Sequence, residues 1–122
     1  MSPVVIKEAL LQYRHWQAEH AVALSLHRNL DDVPPRSKQK VAVIRSWLSI
    51  LSDEQRFVIT KHLLDRLPWP LVVIEYEKRW GKKDGKSERT LKRFQSQALQ
   101  SISDFIASND YRSDIAQIFD TQ

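Results

Sequence analysis

The sequence predicts an all-α fold: a helical bundle led by one long N-terminal helix. Three observations carry that expectation. Apolar residues recur at three- and four-residue spacing in almost every segment. Capping residues stand where helices would begin, at Ser2-Pro3, Ser52-Asp53-Glu54-Gln55 and Ser87-Glu88. No pair of alternating strands is evident, and Asp84-Gly85 is a weak hairpin signal without such flanks.

Ser2 caps the first helix and Pro3 takes its first position, where a missing N–H costs nothing. The helix is expected to run to about Arg28 or Leu30. Ile6, Leu10, Tyr13, Gln17, His20, Leu24 and His27 share one interrupted face. Such a helix either lies across the domain or pairs with a copy of itself. Asn29 to Arg36 reads as a connection, because Asp31-Asp32 followed by Pro34-Pro35 resists helix continuation.

The next helix is expected from Ser37 to Ile50, with Val41, Ile44, Trp47, Leu48 and Leu51 on one side. Ser52 and Gln55 form a capping box for a helix carrying Phe57, Val58, Ile59, Leu63, Leu64 and Leu67. Pro68-Trp69-Pro70 stops that helix and restarts the chain. Leu71 to Trp80 is read as helical from the spacing of Val73, Tyr76 and Trp80, against the strand propensity of Val72-Val73-Ile74. Gly81 supplies a positive-φ end, and Lys82 to Lys86 is a basic turn. A helix from Ser87 to Ile106 buries Leu91, Phe94, Ala98, Ile102 and Phe105. Its opposite face carries Arg89, Arg93, Ser96 and Gln100. Ile115, Ile118 and Phe119 suggest a short final helix.

The domain division that follows is 1–30 for the leading helix, as a dimerisation or partner arm, and 31–36 for a linker. Residues 37–107 form the main helical domain, and 108–122 a tail. At 122 residues, 42% hydrophobic and 28% charged, the composition is that of a globular domain. No apolar run reaches membrane-spanning length, and MSPVVIKEALLQ lacks the features of a secretory signal. Absence of cysteine excludes disulfides and thiolate metal sites. A cytoplasmic location, without membrane contact, is the expectation.

Charge is unevenly spread. From Lys78 to Arg93, eight lysines and arginines face only Asp84 and Glu88, a local charge of +6. That leaves −2 for the remainder of a chain whose total is +4. A basic stripe at a helix start on a near-neutral body is the footprint of a polyanion binder. The bland alternative is a solvated lysine-rich loop. Trp16, Trp47, Trp69 and Trp80 are read mainly as packing residues, Trp69 between prolines being the one candidate for an exposed partner contact.

Taken together, LSDEQRFVITKHLLDRLPWPLVVIEYEKRWG and SERTLKRFQSQALQSI resemble region 4 of primary-type sigma factors. Leu51, Glu54 and Arg56 match the start of its first helix, and Leu71 to Gly81 its second. Arg89, Lys92, Arg93, Ala98, Leu99 and Ile102 match its reading helix. In length and in its leading helices the chain is similar to small phage and prophage regulators of the ArpU and RinA type. Residues 37–107 carry the likeness. Two departures stand out. The seven-residue turn from Gly81 to Ser87 exceeds the usual 3–4 of a helix-turn-helix, and Ile74 and Tyr76 stand where a small residue would ease helix crossing.

The resemblance implies a helix-turn-helix reading double-stranded DNA, in a regulator of phage or prophage late genes inside the bacterial host, with RNA polymerase and a homodimer as further partners. Base contacts are assigned to Arg89, Arg93 and Ser96, since arginine pairs guanine bidentately. Phosphate contacts are assigned to Lys82, Lys83, Lys86, Ser87, Thr90 and Lys92. The alternative is a DNA-recognition subunit of a small-terminase-like packaging motor, which a ring-shaped assembly would distinguish. Catalysis has no support: His15, His20, His27 and His62 form no metal pattern, and neither a Gly-rich phosphate loop nor a nucleophile elbow occurs. No cofactor is expected.

Overall fold

The computed structural model describes residues 1–26, 35–108 and 119. Those residues form six α-helices, with no strand among them: α1 (Pro3–Leu11), α2 (Tyr13–Leu26), α3 (Pro35–Ser49), α4 (Asp53–Ile59), α5 (Trp69–Trp80) and α6 (Glu88–Ala107). A π-helical turn, Thr60–Leu64, continues α4, and a 3-10 turn, Lys82–Asp84, precedes α6. The expected final helix lies outside the described residues, Phe119 excepted.

The single leading helix is corrected to two. Ser2 caps α1 through Val5 N–H, 3.4 Å from Ser2 Oγ, but the helix stops at Leu11 and α2 restarts at Tyr13. A residue far along the chain meets the backbone at this break. Arg66 Nη2 donates to the Leu11 carbonyl at 2.6 Å, and a side chain entering the backbone ladder breaks a helix at that point. Helix α1 does not project as an arm. Ile6 and Leu10 are fully buried in the same core as Ile44, Trp47, Ile102 and Ile106. Ser103 Oγ further ties α6 to the Met1 carbonyl at 2.9 Å. The linker also ends earlier than expected, α3 starting at Pro35, a residue suited to a first helical turn.

The capping box is present: Gln55 N–H donates to Ser52 Oγ at 3.2 Å, and Ser52 N–H to Gln55 Oε1 at 3.3 Å. The helix it opens does not stay α-helical to Leu67. After Ile59 the ladder widens, Asp65 N–H reaching the Thr60 carbonyl at 2.8 Å, and Arg66 then turns the chain with φ 57°. Arg14 clamps this exit, its Nη2 3.0 Å from Asp65 Oδ1. Residues 71–80 are helical, as their spacing predicts. A strand would put Val72 and Ile74 on one face; the helix buries Val72 and Tyr76 and leaves Leu71 and Ile74 exposed.

Two apolar clusters result, and α6 belongs to both. Its first half sends Leu91 into a small core with Val58, Val72 and Tyr76, edged by Phe57, Trp80 and Phe94. Its second half sends Ala98, Leu99, Ile102 and Ile106 into the larger core shared with α1 and α3. Each buried Leu or Ile contributes about 1.5–3 kcal/mol, so α6 is anchored along its whole length. Phe94 and Phe105, expected in the stripe, are only half-buried, and Gln95 takes a buried place beside them.

Candidate nucleic-acid interface

The reading-helix candidate starts where the sequence places it. Ser87 is the N-cap of α6, accepting from Thr90 N–H at 3.2 Å, and its Oγ lies 3.0 Å from Thr90 Oγ1. Both hydroxyls therefore serve the cap first. Arg93 Nη2 approaches Thr90 Oγ1 at 3.5 Å. Gly81, with φ 91°, ends α5 and feeds the 3-10 turn. The turn is tight at Gly85, where an added Cβ would lie 3.2 Å from the Lys82 carbonyl and 3.1 Å from Glu77 Cγ.

Helical geometry sets Arg89, Arg93 and Ser96 on one strip of α6, and all three are exposed. Gln97 stands on the same strip, also exposed, and was not singled out from the sequence although the same 100° arithmetic reaches it. Gln100 follows, but its Nε2 is engaged with Asp104 Oδ1 at 2.9 Å. Lys82 and Lys83 are exposed at the same end of the helix, and Lys86 is half-buried.

Lys92 differs from its neighbours. It pairs with Glu88 at 3.1 Å and its Nζ lies 5.9 Å from the centre of the Trp69 ring, on the flank of the strip. Among the described residues, Lys82, Lys83, Lys86, Arg89 and Arg93 form no ion pair, so the positive charge of this end is uncompensated. Such a field attracts anions over about a Debye length, roughly 8 Å at physiological salt.

Behind the strip sits a polar support the sequence did not reveal. Gln95, 8% exposed, meets His62 Nδ1 at 2.6 Å, and His62 stacks on Trp69 with ring centroids 3.8 Å apart. Trp69 is accordingly half-buried packing rather than a free partner contact. Trp47 is fully buried, and Trp80 is half-buried against Tyr76 and Phe57. Burial and the Glu54 carboxylate push the Tyr76 hydroxyl up to about 12, so it stays neutral within this small core.

The described residues hold no group of three or more His, Cys, Asp or Glu able to take a metal ion, and no helix among them is long and apolar enough to cross a membrane. The arrangement presents a row of exposed cationic side chains along α6 and the preceding turn. No known protein family, curated protein or solved structure matches the chain.

Proposed function

We propose that this chain is a sequence-specific DNA-binding regulator of transcription, of phage or prophage origin, that enters the major groove of duplex DNA with the N-terminal half of α6. The observation that carries the reading is the pair Arg89 and Arg93. They stand one turn apart, both exposed and neither ion-paired among the described residues, on a helix whose opposite face is buried.

Four residues of helix advance about 6 Å, close to two base-pair steps of about 3.4 Å. Arg89 and Arg93 accordingly suit guanines about two steps apart, each pairing O6 and N7. Ser96 and Gln97 reach the next positions, glutamine being the partner of adenine. Lys82, Lys83 and Lys86 take phosphates on the flank and fix the register. Ser87 caps the helix through Thr90 N–H, and with the Thr90 hydroxyl beside it the remaining free N–H groups of the first turn face a phosphate. Lys92 joins them once DNA competes with Glu88. No catalytic step belongs to this reading. RNA polymerase contact would fall on α5, where Leu71 and Ile74 leave an exposed apolar pair.

Selection of bound fragments from random duplex DNA tests the proposal. Recovery of one motif holding guanines at about that spacing, with affinity falling steeply as salt rises, is the expected result. Recovery of no motif, or binding indifferent to Arg89→Ala together with Arg93→Ala, overturns it. Light scattering separates the packaging alternative, which requires a large closed ring.

A further inference from the structure

Away from α6, helices α1, α2 and α3 enclose a cleft of about 620 Å³, whose walls include Gln12, Trp16, Glu19, Ser37, Lys40 and Phe119. Small-molecule pockets commonly span about 300–1,000 Å³. Lys40 is the unusual member. It is 7% exposed, its Nζ lies 4.6 Å from the centre of the Trp16 ring, and among the described residues it forms no ion pair. Lysines this buried ordinarily have an anionic partner.

Neither acid among the described residues that line the cleft, Glu8 or Glu19, pairs with it. Glu19 Oε1 accepts from Ser37 Oγ at 2.7 Å, and its Oε2 lies 3.5 Å from His15 Nε2. An indole face satisfies an ammonium only in part, since ring attraction replaces none of its hydrogen bonds. What remains is a cation that meets no protein acceptor among the described residues, at the wall of a cleft that also carries two aromatic rings, Trp16 and Phe119, with centroids 5.5 Å apart.

The geometry points to a binding site for a small monocarboxylate with a planar apolar body, its carboxylate on the Lys40 ammonium and its ring against Trp16 and Phe119. The Lys40 ammonium, which forms no ion pair among the described residues, offers that carboxylate one positive charge. Glu8 and Glu19, which line the same cleft, oppose any added anion, and a dianion such as a phosphate monoester more than a monocarboxylate. The site uses none of the residues of the exposed strip on α6, and it can be tested without DNA.

The test is an NMR titration of the full isotope-labelled chain with phenylacetate and, separately, with its uncharged isostere phenylacetamide. Saturable shifts confined to the cleft are expected. Phenylacetate binds about tenfold or more tightly than the amide, the difference a charge-assisted hydrogen bond provides. Lys40→Met, which keeps the aliphatic stem, abolishes that preference. Absence of saturable shifts, parity between the two probes, or undiminished phenylacetate binding in Lys40→Met overturns the proposal. Should Lys40→Met fail to fold, the ratio measured on the unchanged chain decides alone.

Discussion

His62 and Gln95 lie 33 residues apart in sequence and 2.6 Å apart in space, joining the π-helical turn to the buried face of α6. A carboxamide oxygen only accepts, so the imidazole Nδ1–H donates. The bond lets a polar residue occupy the apolar stripe of α6, 8% exposed, without an unsatisfied carbonyl. Gln95→Ala therefore leaves His62 without its acceptor in a half-buried site. The expected cost is about 1–3 kcal/mol, read from urea unfolding. His62→Ala combined with it should cost less than the two separate losses added together, and strict additivity would show that the contact contributes nothing.

The same imidazole makes stability depend on pH. Burial holds the His62 pKa below its ordinary 6.5; the Gln95 hydrogen bond opposes that, and the charges of Lys7 and Lys92 add to it. The unfolded chain then binds the proton more readily than the folded one. The contribution of neutral His62 is fully present above pH 6.5 and is lost as pH falls through the folded pKa. His62→Gln, which cannot titrate, should show a shallower loss of urea midpoint from pH 7 to about 5 than the unchanged chain. Equal slopes would assign the acid sensitivity to other groups.

Arg66 occupies left-handed backbone while its side chain holds the Leu11 carbonyl. Arg66→Ala removes the bond and keeps the backbone penalty; Arg66→Gly removes both. The glycine variant is expected to be the more stable of the two by up to about 1 kcal/mol. Thermal melts rank them, and the reverse order would mean that the left-handed geometry carries no cost.

On duplex DNA, Arg89→Ala should cost about 1–3 kcal/mol against the preferred site and little against random sequence. Lys83→Ala should weaken both about equally and lower the salt slope by about one. Titrations at four salt concentrations separate the two patterns. Identical behaviour of the variants would remove the distinction between reading and positioning residues.

Much of this architecture is legible where one helix decides the outcome. The extent of α6 follows from Ser87 and its stripe, and the exposed row Arg89-Arg93-Ser96 follows from the same periodicity. The capping box of Ser52 and Gln55 is equally local, as is helical α5 from Tyr76 and Trp80. What escapes depends on residues brought together from afar. Gln12 carries no signal of a break, and Arg66, which meets the Leu11 carbonyl there, lies far along the chain. Lys61-His62-Leu63-Leu64 reads as ordinary helix, because a shift to wider hydrogen bonding alters no residue type. Gln95 argues for solvent on its own and is buried only because His62 meets it. Of the proposed phosphate ligands, Lys82 and Lys83 are exposed as a polar turn implies, while the hydroxyls of Ser87 and Thr90 turn out to satisfy each other.

The division of α6 into a packed back and a bare front separates two kinds of inheritance. Leu91, Ala98, Ile102 and Ile106 are each fully buried and answer to folding. Arg89, Arg93, Ser96 and Gln97 hold no other helix in place, so drift there is invisible to the melting curve. On the proposed reading, a lineage built on this scaffold changes its target by rewriting four solvent-facing letters while the rest of the chain stands still.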